Sequence, residues 1–227
     1  STDVVADKAE MQRVLNEQTD EIQKAAVDAA DRKFKEQLDK FTNDELKSGE
    51  VLTLGKPGAI LLASGVPNLE LQLGQRVLSD HLAKHNLTVA DIKELASAIQ
   101  KPLMVYDWGT KAKSHIVITD LTTSDGRKIA VAVKIGKDGA VQEINRIASV
   151  HGKEAERIIS EINTDKSDFG KDNLRYVDKE KALNWLSATP PKGEDPTNAG
   201  LNFAANVIRN FENPKISADI LQKMTVW

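Results

Sequence analysis

Along residues 4–41 apolar side chains recur at helical spacing. Ile22, Ala26, Ala30, Phe34 and Leu38 fall every four residues, with Glu, Asp, Lys and Gln on the remaining faces. Val4, Met11, Val14 and Leu15 make a similar stripe upstream, and Thr19–Asp20–Glu21 reads as a cap, so this arm is one helix or two. From Glu50 the pattern shortens. Val51–Leu54 reads as a strand ended by Gly55, and Pro57 opens a short helix through Ile60, Leu61 and Leu62. Gly65 and Pro67 mark a turn, residues 74–84 a helix, and Thr88 with Asp91 a capping box for a helix from Val89 to Ile99.

The strongest strand signals follow, in Leu103–Tyr106, His115–Thr119, Lys128–Ile135 and Ile144–Val150, with Asp125–Gly126 as a hairpin turn. Ile129, Val131, Val133 and Ile135 alternate with Ala130, Ala132 and Lys134. That period of two predicts an antiparallel sheet with one face covered by helix. Gly152–Ile162 returns to helix, Leu174–Val177 is a last strand, and Lys179–Ser187 is a helix with Trp185 facing inward. Residues 188–200 hold three Pro and two Gly and no apolar cluster, which makes a linker. Beyond it Leu201–Phe211 and Ile216–Met224 read as short helices. The expected fold is α+β: an antiparallel sheet of about four to six strands with helices packed on one face. A helical arm occupies 1–48, the α+β domain 49–188, and a linker with a short C-terminal helical tail 189–227.

Charge and composition narrow the functions. Lys and Arg number 31 against 34 Asp and Glu, a net charge of −3, so any nucleic-acid contact has to come from a local basic patch. The absence of cysteine excludes disulfides, thiolate metal sites and cysteine nucleophiles, and suits the reducing cytoplasm. No apolar run approaches the ~20 residues that cross a bilayer, so no membrane is expected as a partner. The chain opens on Ser1, which suggests a piece cut from a larger polypeptide.

Several blocks, in order, carry a resemblance. They are LGKPGAILLASGVPNLEL, HNLTVADIKEL, KPLMVYD, SHIVITDL with DGRKIAVAV, INRIASVHGK and LRYVDKEKALNWL. From Gly55 to Leu186 the chain resembles the carboxy-terminal domain of phage MuF proteins. That family is similar to effector domains of phages and conjugative elements, and to the compact α+β nucleases typified by barnase, EndoU, colicin and RelE. The resemblance implies a toxin that cleaves RNA or DNA without a cofactor, delivered into a recipient bacterial cell and answered by an immunity protein. The competing expectation is a module of the same fold that binds a protein or builds an assembly without catalysis; the acidic balance and the few histidines favour it.

Metal-independent RNA cleavage needs a base for the 2′-hydroxyl, an acid for the leaving oxygen and a cation for the phosphorane charge. Ser149, His151 and Lys153 supply all three types at an expected strand-to-helix junction, where free N–H groups also attract phosphate. Relatives within the resemblance carry Tyr where this chain has His151. His115, beside Lys111 and Lys113, is a candidate partner, and Arg175 with Tyr176 a candidate phosphate clamp and stacking ring. The bland readings are a polar turn for Ser149–Lys153, an edge residue for His115 and packing for Tyr176. His81 and His85 share a helix face but lack a third ligand in sequence, so no metal is expected there.

Overall fold

The computed structural model describes residues 2–109, 114–138, 142–163, 173–189 and 199–225. The apolar spacing of the arm produces one continuous helix, α1 (Thr2–Thr42), not two. Thr19 does not cap a second helix, because its hydroxyl bonds back to the carbonyls of Leu15 and Asn16. The second half of α1 lays Phe34 and Leu38 into the core.

After α1 come β1 (Val51–Gly55), α2 (Ala59–Ala63), β2 (Leu71–Gly74) and α3 (Gln75–Lys84). The expected 89–99 helix is broken at Lys93–Glu94 into α4 (Val89–Ile92) and α5 (Leu95–Ala98). The Thr88–Asp91 capping box is present, with both reciprocal bonds. The strands β3 (Met104–Trp108), β4 (Ser114–Thr122), β5 (Lys128–Asp138) and β6 (Gln142–Lys153) follow, then α6 (Ala155–Asn163) and β7 (Leu174–Val177). Helices α7 (Lys179–Ala188), α8 (Ala199–Asn210) and α9 (Ala218–Thr225) complete the described chain.

Two features of the expected sheet are corrected. Seven strands, not four to six, join in the order β1-β2-β6-β5-β4-β3-β7. The sheet is mixed, because β2 runs parallel to β6 through Leu71↔Asn145 and Gln72↔Arg146, while the other pairs are antiparallel. Four residues of LQLG are too few to show a period of two, and α3 follows without a break, so no strand was expected just ahead of the 74–84 helix.

Helices also cover both faces, not one. Ile129, Val131 and Val133 of β5 pack with Val105, Val117, Ile147 and the helical Phe34, Leu78, Ile92 and Leu95. The alternate positions Ala130 and Ala132 pack with Tyr106, Ile116 and Ile118 against α6, α7 and α8. The alternation of large and small apolar residues therefore marks two buried faces of different depth. Alanine on the second face leaves room for the Tyr106 ring and for α6 to come close.

Residues 199–225 fasten the two layers together. Helix α8 packs on the second face through Ala204 and Ile208. The chain then passes the outer edge of β7, where the Asn213 side-chain amide stands in for a neighbouring strand. Its Oδ1 accepts from the Val177 N–H at 2.9 Å and its Nδ2 donates to the Val177 carbonyl at 2.6 Å. Ile216, Ile220 and Met224 finally pack on α2 and on Ile22 of α1.

Candidate functional site: a histidine row beside a buried ion pair

The block 149–153 is strand throughout. β6 runs to Lys153 and α6 begins only at Ala155, so the expected strand-to-helix junction falls beyond all three candidate side chains. A bulge at Ala132/Val133 shifts the register, and Ser149, His151 and Lys153 stand opposite Ala132, Ala130 and Lys128. Period-two spacing puts them on one face. Their fates differ.

Lys153 is 4% exposed, and its ammonium meets the equally buried Glu161 carboxylate at 2.6 and 3.0 Å. The Tyr106 hydroxyl donates to the same carboxylate, and Lys153 Nζ lies 3.4 Å from that hydroxyl. Asn173 ties the Glu161 carbonyl to the Asp107 carbonyl, through bonds of 2.9 and 3.3 Å. Burial pushes the Lys153 ammonium down, which Glu161 opposes; burial and the Glu161 charge hold the Tyr106 hydroxyl far above its ordinary range. The cation expected to meet a phosphate is occupied inside the fold.

His151 lies at the edge of this network, half-buried. β2 pairs with only the first part of β6, so α3 lies beside the uncovered remainder and brings its C-terminal turn to the strand. The ring of His85 sits 5.1 Å from His81 and 5.3 Å from His151, centroid to centroid. Three of the four histidines in the chain thus lie in one row, His81 stacked on His85 and His151 tilted against it. Arg127 lies over the backbone of Gly152; a Cβ there would come within 2.9 Å of the guanidinium carbon, so glycine is what admits it. Arg127 Nη1 is 3.4 Å from the His85 carbonyl and its Nε binds Asp125 at 2.9 Å, while Arg157, its side chain 71% exposed, reaches Glu161 Oε1 at 3.4 Å. Burial, then the charges of Lys153, His85 and Arg157, push the His151 imidazole down to about 4. Burial and neighbouring cations lower His81 and His85 as well. Ser149 is half-buried and its hydroxyl bonds to no described residue.

The other two candidates are not in this row. His115 Nδ1 meets Asp107 Oδ1 at 3.0 Å, and Arg175 Nε donates to Asp107 Oδ2 at 2.9 Å. Burial pushes the Asp107 carboxyl up, and the bonds and charges of His115 and Arg175 outweigh it, leaving it below its ordinary value. The His115 ring lies near Gly65 on the α2 side of the sheet. Tyr176, proposed as a stacking ring, is half-buried against the larger core.

Sequence reasoning missed Tyr106, Asp107, Arg127, Arg157 and Glu161. Glu161 had a signal: it follows Ile158 and Ile159 and precedes Ile162 on the apolar side of α6, where an unpaired carboxylate is costly. The joining of His81 and His85 to His151 had none, because it depends on where β2 stops pairing.

The fold and site define an α+β protein on a mixed seven-stranded sheet, with a cation-flanked histidine row at one sheet edge. Residues 76–184 match the family model of the phage MuF-C-terminal domain, just under half of the chain. Every residue of the row and of both ion-pair clusters lies inside that stretch; the block 54–71, α1 and the segment 199–225 lie outside it. No curated protein and no solved structure matches the chain. Among the described residues no helix is long and apolar enough to cross a membrane.

Proposed function

We propose that this chain is an effector domain of a phage or mobile-element protein that cleaves RNA phosphodiesters without a metal ion, at the row His81–His85–His151. Kinship with the barnase, EndoU, colicin and RelE nucleases belongs to this proposal. The observation that carries it is the concentration of three imidazoles, Arg127 and Arg157 at one sheet edge of a chain whose net charge is −3. A local patch of this kind is what an acidic protein needs in order to hold a phosphate. His151 meets the substrate as a neutral base, and the phosphate's negative charge raises its pKa from about 4 towards the working range. His85 serves as the second imidazole, and the exposed Arg157 as the cation for the phosphorane. Lys153, held by Glu161, does not touch substrate, and its charge helps to keep the His151 imidazole neutral.

The second reading, a binding module without catalysis, is favoured by one observation: Lys153, Tyr106 and Arg157 all converge on the buried Glu161 carboxylate, as in a structural network. Incubating the purified protein with single-stranded RNA, with and without EDTA, separates the two. Cleavage insensitive to EDTA, and reduced about 10²-fold or more in His151→Ala, is expected. Cleavage undiminished in His151→Ala removes the row from consideration. No cleavage by the wild type, together with normal growth of bacteria expressing it, leaves the binding module.

A further inference from the structure

A cavity of about 370 Å³ lies between α1 and the segment 214–216, which roofs it. Its floor and walls come from α2 and β7, and most of its lining lies outside the stretch that matches the phage domain. A second hollow, about 550 Å³, continues from it past Asp20, Gln23 and Lys101. The volumes suit one small organic molecule.

The polar side chains at this cavity divide into two groups. Thr19 and Gln23 are used up by the fold: Thr19 bonds to the Leu15 and Asn16 carbonyls, and Gln23 Oε1 accepts from the Ala59 N–H at 2.9 Å. The side chains of Asp20, Lys101 and Lys215, and the hydroxyl of Tyr176, bond to no other described residue. Tyr176 itself is half-buried and lines the cavity. Burial and the Asp178 charge push that hydroxyl up to about 12, so it is a donor at neutral pH. The remaining surface is apolar, provided by Ala59, Ile60, Ala63 and Ile216. Two ammonium groups and a phenol donor accept an anion, the apolar floor accepts a flat ring, and one carboxylate accepts an amino group.

We infer that this cavity binds a nucleoside monophosphate, its phosphate taken by Lys101, Lys215 and the Tyr176 hydroxyl, and its base resting on Ile60 with the exocyclic amine at Asp20. The roof keeps the ligand in. Gln12 Nε2 of α1 donates to the Ile216 carbonyl at 2.9 Å, and Asn213 fastens the same segment to β7. This site is separate from the histidine row and does not depend on cleavage.

Calorimetric titration of the full chain with adenosine 5′-monophosphate, with adenosine and inorganic phosphate as separate arms, tests it. Saturable binding to one site is expected. Lys101→Ala and Lys215→Ala, both exposed and outside the core, should each weaken it about tenfold, the scale of a charge-assisted hydrogen bond. Tyr176→Phe keeps the ring and should weaken it severalfold, and adenosine or phosphate alone should bind at least tenfold less tightly. The inference is overturned by no saturable heat at millimolar nucleotide, by binding undiminished in the Lys101→Ala/Lys215→Ala double variant, or by phosphate alone binding as tightly as the nucleotide. Whether the chain cleaves RNA has no bearing on these outcomes, so the two readings stand or fall separately.

Discussion

Lys153 shows how far a residue type by itself carries a reading. Beside His151 it looks like a phosphate-binding cation, and the structure instead spends it on Glu161, both side chains being 4% exposed. A pair so buried is stabilising only while both partners are present. Lys153→Met, which leaves the buried carboxylate only the Tyr106 hydroxyl and the exposed Arg157, should cost about 3–5 kcal/mol in denaturant unfolding, and the double variant Lys153→Met/Glu161→Leu should recover most of it. Equal loss in single and double variants would deny that the pair closes on itself. His151 makes the complementary case in pH. Its proton is held in the fold only below about 4, against 6.5 for an unperturbed imidazole, so between those values the unfolded chain binds more protons. Stability is therefore intact above about pH 6.5 and is lost as pH falls towards 4. After allowance for solvent at this half-buried ring the loss is on the order of 2 kcal/mol. Thermal melts at pH 7 and 4.5 should show wild type losing more than His151→Gln; parallel losses would contradict the shift. The three residues of β6 were legible as a set from their chemistry within five positions, although the junction expected there is strand throughout. Their partners were not, since Tyr106 lies 55 residues from Glu161 and meets it only where α6 packs on the sheet.

Among the elements, the central hairpin was the most legible and β2 the least. Strands β4 and β5 hold enough β-branched residues to declare a period, and the Thr123–Arg127 turn closes as expected, with Gly126 at φ +88°. Its alternation was read as one buried face and one open. Alanine is no sign of exposure on this strand, since Ala130 is 0% and Ala132 8% exposed. Alanine here sets a depth. Ala132→Leu should therefore overpack the face that holds Tyr106 and α6, costing about 1–3 kcal/mol, whereas Ile135→Thr on the same strand, at 60% exposure, should change little. Similar losses from both would mean that the second face is not tightly packed. The helix expected over 89–99 failed for a related reason: its apolar residues Ile92, Leu95, Ala96 and Ile99 all reach the core, but only by way of a break at Lys93–Glu94.

At the scale of the whole molecule, what sequence withheld was mostly long-range. The parallel β2–β6 pair joins residues about 70 apart, and the asparagine that caps β7 sits in a segment read only as tail. Neither has a local signature, because each is specified by a surface that the rest of the chain builds. The bond between Gln12 and the Ile216 carbonyl spans 204 positions. A ribosome working at roughly 5–20 residues per second therefore holds the arm helix for on the order of ten seconds or more before its counterpart exists. Through that interval Ile22 and Ala59 are exposed to solvent, the edge of β7 offers its Val177 N–H and carbonyl to any passing strand, and the nucleotide cavity has no roof. Until residues 213–224 emerge the nascent chain is thus an open form, and chaperone contact during synthesis should concentrate on the surfaces that those residues cover.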